Sequence, residues 1–408
     1  MPTPAAVTTA DNANPLLSIT DLPAYDRIRP EQVGPAVQAL VAQAQAALAG
    51  ATADAMPADY DALSAVLDVA CERLERAWGV VGHLKAVLDT PELRAAYNEN
   101  LPAVTAFHTE LGASQALYEK YKRVAAAPER LTPARRHALA LALREFELSG
   151  AELHGAARER FARIQARKAE LSQQFSEHVL DATDGFALDV AEDRLAGLPD
   201  DARAAARAAA AAAGVAGGRL TLHGPSYIAA MQHLADRELR QTLYTAYVTR
   251  ASEIGPAALD NGPIVRELMA LRQEQAALLG YASHAEVSLA RKMAGTPREV
   301  IDFVLDLARR ARPQAERDLA ELRAFAAAEL GLAELQPWDL SYAAERLRER
   351  RYAFSAQEVQ RYFPLPRVLQ GLFGIIETLF EVTIREDESP RWHDSVRFFR
   401  IERRSAAA

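Results

Sequence analysis

The sequence has a single cysteine, Cys71, among its 408 residues. An intramolecular disulfide is therefore excluded, because it needs two thiols. A reactive thiol and a packed thiol remain as alternative roles for this side chain. Apolar residues around Cys71 recur at intervals of three and four, as on one face of a helix. They are Leu67, Leu74, Trp78 and Val81. This spacing favours a packed cysteine.

Long apolar segments are also missing. The sequence contains no continuous run of about 18 apolar residues, the length that a membrane-spanning helix needs. Residues 1–22 carry neither a positively charged start nor an apolar stretch long enough for a signal peptide. We therefore expect a cytoplasmic protein without a membrane partner.

Uninterrupted basic stripes are absent as well. The 55 acidic residues outnumber the 47 basic ones, which gives a net charge of -8, and the arginines lie among glutamates. Nucleic acid is therefore not expected as a partner. The short basic run from Arg309 to Arg312 is followed by Glu316 and Asp318, which indicates a solvated helix surface. A composition of 50% hydrophobic and 25% charged residues is typical of a globular protein, and the length allows two or more domains.

The zinc-peptidase motif H-E-x-x-H does not occur, and no two of the nine histidines lie four residues apart. The nearest substitutes are two pairs spaced by three, His178 with Asp181 and His233 with Asp236. A catalytic zinc needs three protein ligands and an open position, so neither pair is sufficient. We expect hydrogen bonds on helix surfaces instead, or a half-buried His178 beside Phe175. The sequence thus offers no catalytic, cofactor-binding or metal-binding residue.

Two further features have competing interpretations. Ser226 follows Pro225, but no G-x-S-x-G elbow surrounds it, so we predict a helix-capping serine. The mixed-charge run at 345–351 precedes three aromatic residues, Phe354, Tyr362 and Phe363. These aromatics either pack a charged helix or form a rim that contacts peptides.

Amphipathic helices are predicted wherever apolar residues recur at intervals of three and four. The predicted helices are 31–49, 59–86, 134–180 (one helix, or two broken between 149 and 155), 201–213, 226–249, 264–279, 297–330 and 356–380. Strands are predicted at 219–222 and 394–401. The sequence therefore predicts a mainly α-helical fold with minor β structure near its C-terminal end.

Seven segments resemble the thimet oligopeptidase family of zinc metallopeptidases and follow one another in the family's order. They begin at Asn14 (NPLL), Leu220 (LTLHGPSYIAAMQHLADREL), Glu267 (ELMALRQEQAALLGYASHAE), Arg310 (RARPQAERDLAELRAFA), Leu335 (LQPWDLSYAAERL), Arg361 (RYFPLPRVLQGLF) and Trp392 (WHDSVRFF). The resemblance extends over nearly the whole chain and is weakest before Ala151.

The resemblance implies a helical N-terminal domain at residues 1–150. It further implies that residues 151–408 form the first part of a metallopeptidase catalytic domain, whose helices wall a deep channel for short peptides. The family's chemistry uses a zinc-held water that attacks the peptide carbonyl. Its zinc ligands lie beyond the point in the family sequence that matches residue 408. The resemblance therefore implies a chain truncated before the zinc site, which by itself binds no zinc and is inactive.

The chain departs from the family at three places. Ala343 and Ala344 follow Tyr342 where the family tends to have a second aromatic residue and a serine. Glu381 stands where a glycine is usual, and the loop at 255–261 is shorter and lacks the family's tryptophan. These departures concern local loop geometry.

Three hypotheses follow. The chain is the front part of a zinc oligopeptidase, a stand-alone helical peptide-binding or scaffold protein, or one half of a split enzyme whose catalytic half is a separate polypeptide. The strand predicted at 394–401 is expected to lack a pairing partner, and removal of residues 392–408 is expected to improve solubility.

Overall fold

The computed structural model describes residues 14–18, 22–128, 131–353 and 356–404. These ranges contain fifteen α-helices and two small antiparallel sheets, which confirms the prediction of a mainly helical fold with minor β structure. No helix within the described ranges is both long enough and apolar enough to cross a membrane.

The helices follow one another with short connections. They are α1 (Val33–Thr52), α2 (Tyr60–Leu88), α3 (Pro91–Gly112), α4 (Gln115–Ala125), α5 (Pro133–Leu148), α6 (Gly155–Asp184), α7 (Asp200–Ala212), α8 (Gly224–His233), α9 (Arg237–Val248), α10 (Gly262–Leu278), α11 (His284–Leu289), α12 (Pro297–Glu329), α13 (Pro337–Tyr352), α14 (Ala356–Gln360) and α15 (Leu365–Phe380). The strands are β1 (Ala187–Val190), β2 (Gly218–Thr221), β3 (Val382–Asp387) and β4 (Phe398–Arg403).

The chain folds into two compact units, each assembled from segments that are distant in the sequence. The first unit comprises the described parts of Met1–Glu170, Ala270–Lys292 and Phe373–Ala408. The second unit comprises Leu171–Met269 and the described parts of Met293–Leu372.

The core of the first unit lies where α1, α2 and α3 pack together. Leu40, Leu74 and Phe107 are almost fully buried there. Cys71 is partly buried against this cluster. Burial, aided by the carboxylates of Glu75 and Asp68, raises the pKa of the Cys71 thiol to about 11. The thiol therefore stays protonated at neutral pH, which supports the packed interpretation.

The C-terminal strand of the first unit is paired. Antiparallel pairing joins β4 to β3, with Ile384 opposite Ile401. Between the strands, Trp392 packs against the core, and its ring lies 5.8 Å from the ring of His83 in an edge-to-face arrangement. The prediction of an unpaired strand was wrong, because hydrophobic alternation within one strand does not reveal a partner that precedes it by more than ten residues.

The core of the second unit lies between the β1–β2 sheet and helices α7, α8 and α9. Leu195, Leu220 and Leu243 are almost fully buried in it. The helix predicted over 226–249 is broken into α8 and α9. Asp236 caps α9 by accepting a hydrogen bond from the backbone N–H of Leu239 at 3.1 Å. A favourable local cap thus outweighed a continuous helical pattern.

A glycine lets the loop before α7 approach the end of α8. Gly197 has φ +92°, and a Cβ at this position would lie 2.2 Å from the carbonyl oxygen of His233. Both the left-handed backbone and the close approach require glycine. The contact fixes the end of α8, where His233 lies.

Two helices carry apolar side chains that are open to solvent. On α15 these recur at intervals of three and four along one stripe: Leu365, Val368, Leu372, Ile375 and Leu379. On the first turns of α12 they are Val300, Ile301, Phe303, Val304, Leu305 and Leu307. Contiguous exposed apolar faces of this kind are typical of surfaces that another polypeptide covers.

Candidate functional site

His233 forms a cluster with two glutamates of α13 in the second unit. His233 and Glu345 are each 7% exposed, and Glu349 lies one helical turn after Glu345 on the same face of α13. One possible ligand atom from each residue lies within 4.8 Å of the others. Within the part of the chain that the structure describes, this is the group with the donors of a metal site.

Arginines already neutralise both carboxylates. Arg348 donates from Nε and Nη2 to Glu345, at 3.0 and 2.5 Å. Arg346 lies with Nη1 3.1 Å from a carboxylate oxygen of Glu349. A divalent cation in this cluster would therefore face two guanidinium groups and compete with them for the same oxygens.

The protonation of His233 opposes metal binding as well. Nη2 of Arg346 lies 3.2 Å from Nδ1 of His233, and a guanidinium can only donate. Nδ1 therefore accepts, and the proton of the neutral ring lies on Nε2. Burial lowers the pKa of His233; Glu345 opposes this shift and Arg346 reinforces it. With one ring nitrogen occupied and the other protonated, the cluster does not fit zinc and forms an ionic network between α8 and α13.

The predicted partner of His233 lies elsewhere in function. Asp236 caps α9, and its carboxylate also accepts a hydrogen bond from Nε of Arg194 at 2.6 Å. The structure thus brings His233 to Glu345 and Glu349 and not into a site with Asp236. The sequence signal for this cluster is the i, i+4 spacing of the two glutamates, but nothing local connects them to a histidine more than one hundred residues away.

His178 takes part in a hydrogen-bond network. Its Nδ1 lies 2.9 Å from Oδ1 of Asn261, and the amide of Asn261 donates to the carbonyl of Phe175 at 3.1 Å. His178 is half-buried. This arrangement agrees with the hydrogen-bonding interpretation of the sequence and fixes the loop before α10.

Ser226 has a different role from the one predicted. The helix begins at Gly224, and His223 occupies the N-cap position without a side-chain cap. The hydroxyl of Ser226 accepts a hydrogen bond from the backbone N–H of Thr221 at 3.0 Å. The capping prediction was wrong, because the serine lies inside the first turn and faces the end of β2.

A cleft of about 780 Å³ opens in the second unit. Its floor consists of small side chains of α7, among them Ala202, Ala205 and Ala209, and its walls include Ile228 and His233. The predicted aromatic rim is only partly described. Tyr362 and Phe363 are 67% and 63% exposed, so they do not pack α13, and Phe354 lies outside the described residues.

Comparison with known proteins decides the family. The profile of peptidase family M3 matches residues 230–407, and the profile of the neurolysin/thimet oligopeptidase N-terminal domain matches residues 37–158. Oligopeptidase A of Salmonella typhimurium is 42% identical over 394 residues, which are 95% of this chain. The chain belongs to peptidase family M3. It is therefore related to metallopeptidases that hydrolyse peptides.

Other relatives of the M3 chain give the same result. Oligopeptidase A of Escherichia coli is 40% identical, again over 95% of this chain. The probable cytosolic oligopeptidase A of Arabidopsis thaliana is 37% identical over 96% of it. The chain spans only 58%, 58% and 57% of the lengths of these three relatives, and the matched region is their N-terminal portion.

Proposed function

We propose that this chain is the front part of a zinc-dependent oligopeptidase that cleaves short peptides. The similarity to oligopeptidase A along almost the whole chain carries this proposal. In it, residues 1–150 form the N-terminal helical domain and residues 151–408 the first part of the catalytic domain. The two matched family profiles support this division, although the compact units of the structure interleave segments from both ranges.

The proposal places the zinc site in polypeptide that residues 1–408 do not include. The sequence has no H-E-x-x-H, and the donors around His233 are committed to arginines. Zinc would supply an activated water when bound, and the residues of this chain would position the peptide. The isolated chain then cleaves no peptide. A cytoplasmic location is part of the proposal, since one plant relative is named as cytosolic.

The exposed apolar faces of α12 and α15 support the need for a further polypeptide. Phe303 and Leu305 of α12 are 65% and 58% exposed, and Ile375 and Leu379 of α15 are 60% and 70% exposed. Burial of such side chains contributes about 1.5–3 kcal/mol each, so a surface that leaves them open favours association. We propose that the remaining part of the catalytic domain covers these faces, either in one chain or as the second half of a split enzyme.

Metal analysis of the purified chain tests this proposal. After incubation with one equivalent of zinc and gel filtration, the chain should retain far less than one zinc per molecule and show no chelator-sensitive cleavage of a fluorogenic peptide. A full-length relative such as oligopeptidase A of Escherichia coli serves as the control in the same assays. One tightly held zinc with chelator-sensitive cleavage would disprove the proposal.

A stand-alone peptide-binding protein is the second candidate, and the cleft above α7 favours it. The cleft has a mainly apolar lining and the size of a small-ligand site. Binding of short apolar peptides to the isolated chain, lost when Ala205→Trp fills the floor but kept with Ala208→Trp on the same helix, would support this function. Equal binding by both variants would oppose it.

A further inference from the structure

Three nitrogen-bearing side chains gather in the first unit without a carboxylate among them. Lys168 lies on α6, Arg272 on α10, and His284 opens α11. The ammonium of Lys168 donates to the side-chain amide oxygens of Gln275 and, at 3.4 Å, of Gln165. Gln275 is only 6% exposed, and Arg272 precedes it by three residues on the same face of α10. The arrangement therefore rests on a buried contact between α6 and α10.

The neighbouring carboxylates are engaged elsewhere. Glu274 forms two hydrogen bonds with Arg160, at 2.6 and 2.7 Å. Glu286 accepts from the backbone N–H of Ala282 at 3.0 Å. Arg272 forms no ion pair within the part of the chain that the structure describes. The cationic groups are thus not compensated by local acids.

Donor capacity remains in this cluster. An ammonium has three N–H donors, and the two amide oxygens use two of those of Lys168. Nδ1 of His284 is buried and has no hydrogen-bond partner among the described residues. A buried polar atom without a partner costs about 1–3 kcal/mol, so its presence calls for an explanation.

The electrostatics agree with this geometry. Burial lowers the pKa of Lys168 to about 8, and Arg272 adds to the shift. Burial likewise lowers the pKa of His284, followed by the charges of Lys168, Arg272 and Lys292. The charged groups that shift these two pKa values are all cations. An anion placed among them would remove this mutual repulsion.

We propose that Lys168, Arg272 and His284 bind a small oxyanion, either a phosphate or the terminal carboxylate of a short peptide. Arg272 offers a guanidinium fork that matches the paired oxygens of both groups. Lys168 offers its remaining N–H, and His284 offers Nδ1 when that nitrogen carries the proton. The site is independent of zinc and of peptide cleavage, because it needs none of the residues that the catalytic proposal places outside this chain.

Isothermal titration calorimetry of the purified chain tests the site. The ligands are inorganic phosphate, trialanine with a free carboxyl group, and trialanine amide, all at constant ionic strength in chloride. We expect saturable one-to-one binding of phosphate or of free trialanine, and none of the amide. Lys168→Met and Arg272→Gln should each weaken binding at least about tenfold, since a hydrogen bond to a charged group is lost.

Arg298→Gln is the matched control, because Arg298 is an exposed arginine of α12 that pairs only with Asp302 among the described residues. It should leave binding unchanged. Circular dichroism verifies that each variant is folded; if Lys168→Met is not, the half-buried Arg272→Gln decides. The proposal is overturned if neither phosphate nor free trialanine binds, or if binding is as tight in Arg272→Gln as in the unmodified chain. Preference for phosphate or for trialanine identifies the source of the oxyanion.

Discussion

Arg240 and Asp339 form an ion pair in the interior of the second unit. Nη2 of Arg240 lies 2.9 Å from Oδ1 of Asp339, and the two side chains are 1% and 0% exposed. Arg237 also contacts Asp339, at 2.7 Å, and Arg240 donates to the carbonyl of Leu234 at 2.7 Å. Both charges are therefore hydrogen-bonded as well as paired, and the contacts join α9 to α13.

Loss of the Asp339 charge should destabilise the chain strongly. In Asp339→Asn, Arg240 stays buried without a counter-charge, which costs about 3–5 kcal/mol. The midpoint of urea unfolding, followed by circular dichroism, should fall accordingly. Asp302→Asn breaks the exposed pair with Arg298 on α12 and should cost no more than about 0.5 kcal/mol. Equal midpoints for the two variants would contradict this account of the interior ion pair.

His233 should make the stability depend on pH below about 6.5, its ordinary pKa. Because burial lowers the pKa of the folded-state ring, the unfolded state binds a proton more readily, and stability falls as pH decreases from 6.5 toward the folded-state pKa. In His233→Gln, whose amide oxygen can still accept from Arg346, unfolding midpoints should decrease less over this range. His137→Gln, at an exposed position of α5, should keep the original slope. An unchanged slope in His233→Gln would refute this assignment.

Glu381 should become more favourable as glycine. Its φ of +54° lies in the left-handed region, and the family usually has glycine at this position between α15 and β3. A side chain costs about 1–2 kcal/mol there, partly offset by the greater flexibility of glycine in the unfolded chain. Glu381→Gly should therefore raise the unfolding free energy by up to about 1 kcal/mol. Glu381→Ala separates charge from backbone and should give no such gain. A lower unfolding temperature for the glycine variant would argue against backbone strain.

The C-terminal hairpin should stabilise the first unit. Trp392 packs on the core, and the ring of Phe399 lies 4.8 Å from that of Phe373. Trp392→Ala should cost about 1–3 kcal/mol, less than the cost for a fully buried tryptophan. Tyr362→Ala, at an exposed ring, should cost little. Deletion of 392–408 should lower the unfolding temperature, contrary to the expectation of a dispensable segment; a deletion that leaves the temperature unchanged would restore that expectation.

Local signals in the sequence were sufficient for most helices. The start of α12, for example, follows from Thr296, which accepts from the N–H of Glu299 at 3.1 Å, and from Pro297 in the first turn. The break between α8 and α9 was missed because Asp236 lies in a continuous helical pattern, and its capping role depends on the packed loop near Gly197.

Contacts between distant segments were not accessible to sequence reasoning. The pairing of β3 with β4 and the approach of Glu345 to His233 both depend on how whole elements pack. Periodicity gives the face of a helix but not the element that covers it. The metal-like pairs were therefore assigned by spacing within one helix, whereas the observed cluster joins two.

Reconstitution of peptidase activity tests the central claim most directly. The purified chain is mixed with a separately produced polypeptide that corresponds to the part of oligopeptidase A beyond the matched region, and chelator-sensitive cleavage of a short fluorogenic peptide is measured in the presence of zinc. The account predicts no cleavage by the 408-residue chain alone and cleavage by the mixture, weakened when Leu372→Glu and Leu379→Glu place charges on the exposed stripe of α15. Chelator-sensitive cleavage by the isolated chain, or an inactive mixture of two folded components, would contradict it.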